Sequence, residues 1–321
     1  SLATIAGLEI QHPNQNSNPA NENFGVLVGP AGDFDGDGYA DMYVVAAEDH
    51  LSAPANSTLH RDGALWIYYG KSGVYSSGIQ IPSTLIAGAF RQDLLGSGRP
   101  AFGNVDGDAY SDLVLAAPRF DGTDDGASNG LGKIYLFRGR VGLRGKTLTT
   151  AMADWTYTHA KTFTNVGSRN CLVDMNNDGY ADLLTTSRYE DFDTLINQGS
   201  AYLFLSDGFT FSSTPDWSVR GSLQHQNIGS DIATADFNSD GFSDILLGAD
   251  GVLGSGFAGS SAIIYGPLVA PHVDPDWTVS GTMATSGENA GDLLGYSVTN
   301  VGDVNGDGLE DVLVGAPGRD E

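Results

Sequence analysis

The segment Asp33-Phe34-Asp35-Gly36-Asp37-Gly38-Tyr39-Ala40-Asp41 has carboxylates at positions 1, 3, 5 and 9 of a nine-residue pattern and glycine at position 6. The pattern returns in the segments 104–112, 174–182, 236–244 and 303–311, and each copy leads into a short apolar run. Oxygen ligands at alternate positions, with a glycine for a tight reversal, suit a hard cation such as Ca²⁺. The sequence therefore predicts a repeat array with five calcium loops.

The predicted metal ligands are the side chains at positions 1, 3, 5 and 9 of each loop. They are Asp33, Asp35, Asp37 and Asp41; Asn104, Asp106, Asp108 and Asp112; Asp174, Asn176, Asp178 and Asp182; Asp236, Asn238, Asp240 and Asp244; and Asp303, Asn305, Asp307 and Asp311. The second copy is expected to bind most weakly, because Asn104 lowers its charge and Ala109 replaces the glycine. A left-handed Ala109 would cost roughly 1 kcal/mol. We therefore expect four to five bound Ca²⁺ ions.

Two other interpretations of the pattern explain less. An EF-hand needs a bidentate Glu at position 12, whereas the residues there are Val44, Leu115, Thr185, Leu247 and Val314. Turns made of Asp and Gly would explain one loop, but they do not require the same ligand spacing in five loops.

The distance between copies indicates the architecture. The loops begin at residues 33, 104, 174, 236 and 303, and each period has room for four short strands. After each loop comes an apolar strand, as at 42–47, 113–117, 245–248 and 312–316, and then an aromatic strand, as at 65–70, 133–137, 201–205 and 262–266. A last strand begins near Trp155, Trp217 and Trp277. Four strands in each period predict an all-β protein in which each period is one propeller blade.

These residues resemble the FG-GAP repeats of the integrin alpha-chain propeller and its bacterial and fungal relatives. The similarity lies in Phe24-Gly25 before the first loop and in Ala116-Ala117-Pro118 and Gly315-Ala316-Pro317 after the second strands. It covers nearly the whole chain. It implies a β-propeller with four-stranded antiparallel blades, in which the metal loops join the first and second strands on one face. In such proteins, ligands usually bind the loops of the opposite face.

The last repeat looks incomplete. We expect a single propeller domain over 1–321, with repeats at about 22–88, 89–160, 161–222 and 223–284 and an incomplete repeat at 285–321. The segment 2–9 is a candidate outer strand of a blade that begins elsewhere. An open ring would expose strand edges, so we expect a ring of six or seven blades, completed by chain missing here or by another polypeptide. A compact ring of five blades is the alternative.

The charge of the chain and its predicted calcium loops indicate where the protein is located. Forty acidic and fifteen basic residues give a formal charge of −25, and no basic patch is available to nucleic acid. Calcium loops of this kind resemble extracellular modules, which bind in the range of ~0.1–1 mM. No apolar run approaches the ~18 residues of a membrane-spanning helix, and no signal peptide precedes Ser1. The chain is therefore expected to be a mature or trimmed protein, extracellular or on the cell surface, and not inserted in a membrane.

Function is predicted to lie in the loops between second and third strands, at 48–63, 119–132, 188–199 and 250–260. Their aromatic and charged residues are the ligand candidates: Arg119, Phe120, Asp121, Arg188, Tyr189, Phe192 and Phe257. No catalytic motif is visible, so an adhesion or recognition module for a protein or a glycan is favoured over an enzyme, with a lectin as one version. The alternatives are an accessory or catalytic propeller of a secreted lyase or phospholipase, and a structural subunit of a surface assembly.

Overall fold

The computed structural model describes residues 10, 23–48, 62–72, 84–89, 93–122, 130–251, 257–268, 274–282 and 291–318. The predicted strand at 2–9 and most of the first candidate ligand loop lie outside these residues. Within them the regular structure is strand, except for one 3₁₀ turn at Thr150–Met152. No helix in the described part of the chain is long and apolar enough to cross a membrane.

The strands form five sheets in chain order. Sheet 1 contains β1 (Phe24–Gly32), β2 (Asp41–Ala46), β3 (Ala64–Tyr68), β4 (Thr84–Ala87) and β8 (Lys146–Thr149); sheet 2 contains β5 (Ala101–Gly103), β6 (Asp112–Ala117), β7 (Lys133–Phe137) and β9 (Trp155–Thr158); sheet 3 contains β10 (Asn170–Val173), β11 (Asp182–Ser187), β12 (Ser200–Phe204) and β13 (Trp217–Arg220); sheet 4 contains β14 (Ile228–Ala235), β15 (Asp244–Ala249), β16 (Ser260–Ile264) and β17 (Trp277–Ser280); and sheet 5 contains β18 (Ser297–Gly302) and β19 (Asp311–Gly315). The prediction of four-stranded antiparallel sheets is confirmed for sheets 2, 3 and 4.

The hydrophobic core lies between successive sheets. Every residue of β6, β11 and β15 is buried, as expected of strands that are covered on both faces. One cluster of buried side chains joins sheets 1 and 2, another joins sheets 2 and 3, and a third joins sheets 3 and 4. Trp155 packs edge-on against Phe204 and Phe211 of the next sheet, with ring centroids 5.6 Å and 5.2 Å away. The sheets therefore stack side by side like the blades of a propeller.

Glycines set the close approach between neighbouring sheets. Gly199 has a φ of +75°, and a Cβ on it would lie 2.3 Å from the carbonyl oxygen of Ile228 in the next sheet. Gly63 and Gly259 meet Leu95 and Leu294 in the same way, each at 2.3 Å. A side chain at these positions would both strain the backbone and push the sheets apart. The glycine ahead of each third strand thus fixes the repeat spacing.

Sheet 1 has a fifth strand that the sequence pattern did not predict. After β7, the chain returns to sheet 1 and pairs β8 with β4 in parallel, with Leu148 opposite Ile86. Leu148 is buried in the cluster between sheets 1 and 2. The outer edge of sheet 1 is thereby covered by the following repeat, which removes an exposed strand edge.

The outermost sheets expose apolar side chains. In β1, Val26 and Val28 are 52% and 64% exposed, and in and near sheet 5 Val304 and Leu313 are 71% and 60% exposed. Sheet 5 consists of two strands among the described residues. The described part of the chain forms blade-like sheets without a closed ring, and it does not determine the number of blades.

Candidate metal sites and loop face

The five acidic loops lie at the same end of the five sheets. Each of them connects the first and second strands of its sheet, as the segment between Gly32 and Asp41 connects β1 and β2. The loops between second and third strands lie at the opposite end, which we call the loop face. The predicted metal ligands and the ligand candidates are therefore separated by the length of the strands.

The first residue of each loop closes the turn. In loop 1, Asp33 Oδ1 accepts a hydrogen bond from the backbone N–H of Asp37 at 3.0 Å, and Asp33 Oδ2 accepts one from Gly38 at 2.8 Å. The equivalent bonds are made by Asp174, Asp236 and Asp303. The glycine at position 6 has a φ between +87° and +92° in these four loops. The predicted reversal is present, and it holds the acidic side chains on one side of the turn.

The ninth residue ties the loop to the sheet. Asp41 Oδ2 accepts a hydrogen bond from the N–H of Phe34 inside the loop, and Asp41 Oδ1 accepts one from Gly70 just beyond the third strand, both at 2.8 Å. Asp112, Asp182 and Asp244 make the same pair of bonds in their sheets. In loop 5, Asp311 Oδ2 accepts the bond from within the loop, from Val304. A carboxylate oxygen keeps a second lone pair, so ligation by these residues stays a prediction.

Burial changes the acidity of these ninth residues. It raises the pKa of Asp41, Asp112 and Asp182 to about 6, against the lowering effect of the two backbone hydrogen bonds that each accepts. Burial also raises the pKa of Asp244. Neighbouring loop carboxylates add to the rise, because like charges disfavour ionisation.

Loop 1 gathers three carboxylates. Asp33, Asp35 and Asp37 each offer an oxygen, and these oxygens lie within 4.8 Å of one another. The Asp35 side chain is 6% exposed, and its buried Oδ1 has no hydrogen-bond partner in the described structure. Burying a carboxylate oxygen without a partner is costly, and a bound cation would remove that cost. The side chains of this loop therefore fit a divalent cation with oxygen ligands.

Two arginines from the segment between β7 and β8 approach loops 1 and 2. The Arg144 guanidinium bonds Asp35 through Nε and Asp37 through Nη2, and its Cζ lies 4.7 Å from the centre of the Tyr69 ring. Arg138 Nη1 lies 3.4 Å from Asp106 Oδ2 in loop 2. In loops 3, 4 and 5 an asparagine at position 3 donates to the aspartate at position 5 instead. Sequence analysis missed both arginines, because they come from the segment between β7 and β8.

Loop 2 closes differently from the others. Asn104 accepts the N–H of Gly107 at 2.7 Å and donates to the carbonyl oxygen of Asp108 at 2.6 Å. Ala109 does not adopt a positive φ, so the expected left-handed strain at this residue is wrong. The left-handed residue shared by all five loops is at position 4: Gly36, Gly107, Asn177, Ser239 and Gly306. Loop 2 thus accommodates alanine at position 6 by closing with a different set of hydrogen bonds.

Two of the predicted ligand residues on the loop face are exposed. Arg119 is exposed, and Tyr189 is 39% exposed with the Arg188 guanidinium carbon 5.1 Å from its ring centre. Arg188 itself pairs with the buried Asp250. Phe120 is 7% exposed and belongs to the core between sheets 1 and 2, so its assignment as an open ligand contact is not supported.

The remaining ligand candidates are partly exposed. Phe192 lies between two cations, with Lys161 Nζ 5.2 Å and Arg220 Cζ 5.3 Å from its ring centre. Asp121 and Phe257 are half-buried. The seven predicted residues therefore belong to three loops, one each in sheets 2, 3 and 4, and they differ in how far they are exposed.

A buried polar network lies near the interface of sheets 2 and 3. Glu190 Oε2 accepts hydrogen bonds from Ser200 Oγ at 2.5 Å and Tyr202 Oη at 2.6 Å, while His159 Nε2 lies 3.4 Å from Glu190 Oε1. The Glu190 side chain is 2% exposed. Burial and the neighbouring Glu190 raise the pKa of Tyr202. Glu190 is thus enclosed by its partners, two of which, Ser200 and Tyr202, also line a cavity between sheets 3 and 4.

A cavity of about 790 Å³ opens between sheets 3 and 4. Its apolar wall includes Val219, Leu247 and Ile264, and Arg220 and Asp274 contribute charged groups. The volume falls in the range of small-molecule pockets. Phe192, one of the predicted ligand residues, also lines this cavity, so the cavity is continuous with the loop at 188–199.

Comparison with known families identifies the repeats. Residues 174–247 match the family described as FG-GAP-like repeat, and residues 294–321 match the FG-GAP repeat family. The chain is 24% identical to integrin alpha-4 of Xenopus laevis over 284 residues, which is 87% of this chain and 24% of that protein. It is 37% identical to integrin alpha-6 of Gallus gallus over 92 residues, which is 28% of this chain and 8% of that protein. FG-GAP repeats of the integrin type generally bind divalent cations.

The chain spans about a quarter of the length of the integrin alpha-4 relative. Among solved structures, a rhamnogalacturonan lyase of Bacillus licheniformis aligns with a TM-score of 0.44 at 14% identity, over 86% of this chain and 56% of that one. The rhamnogalacturonan lyase YesW aligns with a TM-score of 0.41 at 16% identity, over 94% of this chain and 58% of that one. Neither likeness is close enough to carry an argument about function.

Replacing Arg144 is expected to increase the dependence of the fold on calcium. In Arg144→Met, the Asp35 and Asp37 carboxylates lose their cationic partner, so the melting temperature in EDTA should fall. Added Ca²⁺ should then raise the melting temperature more than in the wild type, because the ion no longer competes with the guanidinium. Arg140→Met is the matched control, since Arg140 is exposed and pairs with Asp154 outside the metal loops. Equal calcium-induced shifts in both variants and the wild type would contradict this role of Arg144.

The metal-free protein is expected to lose stability as the pH rises from about 4 to 6. Asp41, Asp112 and Asp182 have raised pKa values of about 6, so the native state binds more protons than the unfolded chain over this range, and the free energy of unfolding falls. Asp207 and Asp303, whose pKa values are lowered by backbone hydrogen bonds, act in the opposite sense below pH 4. Thermal unfolding in EDTA should give a higher melting temperature at pH 5 than at pH 7. A lower value at pH 5 would show that these carboxylates are ionised in the metal-free fold.

Proposed function

We propose that this chain, an FG-GAP repeat protein similar to integrin alpha chains, is an extracellular calcium-stabilised β-propeller that binds a partner through its loop face. The proposal rests on one observation, which is that two kinds of loop lie at opposite ends of the sheets. The acidic loops all lie at one end of the sheets, and the variable loops with exposed Arg119 and Tyr189 lie at the other. One end is suited to bind cations and the other to bind a partner.

The residues that would hold calcium are those at positions 1, 3, 5 and 9 of each loop, for four to five ions in total. The ion supplies positive charge to a chain with a formal charge of −25. The protein supplies the rest: Asp33 and its equivalents shape the loop, and Asp41 and its equivalents connect the loop to the third strand. Loops held in this way need less ordering when the opposite face binds a partner.

The exposed faces of sheets 1 and 5 support a propeller larger than the five described sheets. Val26 and Val28 on one side, and Val304 and Leu313 on the other, are apolar residues in positions that neighbouring sheets cover in sheets 2, 3 and 4. We propose that further blades cover both faces in a ring of six or seven, contributed by the same protein or by another polypeptide.

The extracellular assignment rests on the loops. Sites with three or four carboxylates and exposed ligands resemble modules that bind calcium at ~0.1–1 mM, which matches extracellular and not cytosolic levels. A recognition role is also more consistent with the chain than catalysis. Glu190, which lies beside a histidine and a tyrosine, has a side chain that is only 2% exposed and is already bonded within the protein.

The test is calcium-dependent binding to a panel of purified extracellular matrix proteins and to a glycan array. We expect saturable binding of the partner at about 2 mM Ca²⁺, which is just above the dissociation constants typical of such loops. Binding should be lost in EDTA. Tyr189→Ala on the loop face should weaken binding about tenfold, as expected for an exposed aromatic contact. Phe209→Ala is the matched control, because Phe209 is 62% exposed beside Arg138 at the metal-loop end.

Three outcomes would contradict the proposal. These are undiminished binding in EDTA, a loss of binding confined to Phe209→Ala, and no binding of the calcium-loaded protein to either the matrix proteins or the glycan array. Binding to matrix proteins alone would identify a protein ligand, and binding to the glycan array alone would identify a lectin.

A further inference from the structure

We propose that Arg99 and Arg169 form a binding site for a single carboxylate, the acidic side chain of a protein partner, at the inner edge of the loop face. This inference rests on the proposed recognition function and names the chemistry of its ligand. Arg99 lies just before β5 and Arg169 just before β10, so both are at the loop-face end of the first strands of sheets 2 and 3. First strands of successive sheets contact one another, which brings the two arginines together.

The two guanidinium groups are anchored by one buried carboxylate. Asp231 of β14 lies in the next sheet, and its side chain is 5% exposed. Asp231 Oδ1 lies 3.1 Å from Arg99 Nη2 and 3.2 Å from Arg169 Nε. Asp231 Oδ2 accepts a hydrogen bond from the backbone N–H of Val298 in sheet 5 at 3.1 Å. Four consecutive sheets therefore fix the position of this group.

The arginines keep donors that the protein does not use. Arg169 Nη1 donates to the carbonyl oxygen of Ser168 at 3.0 Å, while Arg169 Nη2 and the Nε and Nη1 of Arg99 make no hydrogen bond to any described residue. The side chains of Arg99 and Arg169 are 46% and 32% exposed. Two guanidinium groups and one carboxylate leave a net charge of +1.

The chemistry of the guanidinium group favours a carboxylate as the ligand. An arginine is always charged, and its planar set of donors matches a carboxylate better than an ammonium does. A carboxylate placed against the free donors would complete an alternating arrangement of two anions and two cations. Because Asp231 already holds both side chains in position, little rotamer entropy remains to be lost on binding.

The charge of the site favours a single carboxylate on a protein over a polyanion. A net charge of +1 matches one ionised acidic side chain. An acidic polysaccharide would bring several carboxylates close to the other acids of the loop face, such as Asp121, Asp191 and Asp193, and like charges at an interface are costly. A partner segment with one Asp or Glu among neutral or basic residues fits this surface best.

The test uses an array of neutral and basic peptides, each with one central Asp or Glu, printed beside a twin that carries Asn or Gln instead. An array of oligouronides is included. Calcium-loaded wild type should bind a subset of the acidic peptides at least about tenfold more tightly than their amide twins. Arg99→Gln and Arg169→Gln should each lose about tenfold in affinity for that subset. Arg140→Gln, which removes an exposed arginine at the metal-loop end, should bind as the wild type does.

Thermal unfolding of each variant checks the fold, and Arg99→Lys and Arg169→Lys provide variants that keep the charge next to Asp231. These should bind more tightly than the glutamine variants and more weakly than the wild type. Equal binding of acidic peptides and amide twins, unchanged binding by both glutamine variants, or binding to oligouronides alone would overturn the inference. The absence of binding to any peptide on the array would overturn the inference as well. Calcium-dependent binding to the matrix-protein panel would still stand in each of these cases, so failure of this site is distinguishable from failure of the proposed function.

Discussion

The structure depends on one buried carboxylate in each of the first four repeats, the aspartate at the ninth position of the acidic loop. Asp41, Asp112, Asp182 and Asp244 each accept one backbone hydrogen bond from their own loop and one from the second residue after the third strand. These bonds compensate in part for burying a charge, but burial still raises the pKa values. A cation beside the loop would remove that cost. We propose that a requirement for calcium arises in this way, from the manner in which the strands are joined.

The two ends of the sheets differ as a consequence. At the metal-loop end, carboxylates are held close together by the backbone, and Arg144 and Arg138 offset part of their charge in loops 1 and 2. At the loop face, the glycines ahead of the third strands let neighbouring sheets approach closely, and arginines from different sheets converge on Asp231. In the proposed function, cations would hold the metal-loop end in place, and the loops at the other end would be the recognition surface.

Much of this arrangement could be predicted from the sequence, because it repeats. The ligand spacing, the apolar second strands and the aromatic third strands recur in phase, so the sheets and the positions of the acidic loops follow from local pattern. Other features could not be predicted in that way. The pairing of β8 with β4, the contacts of Arg144 and the meeting of Arg99 and Arg169 at Asp231 join residues from different repeats. Ala109 shows a further limit, since its loop avoids strain by changing hydrogen bonds that the pattern does not specify.

The central claim is that the acidic loops are structural calcium sites. It is tested most directly by thermal unfolding of EDTA-treated protein before and after addition of millimolar Ca²⁺, with the metal content measured on the same samples. The account predicts four to five bound ions and a clear rise in melting temperature, because an ion that binds the native state stabilises it by mass action. A protein that binds no metal and melts at the same temperature with and without Ca²⁺ would show that the loops are hydrogen-bonded turns alone, and would contradict the account.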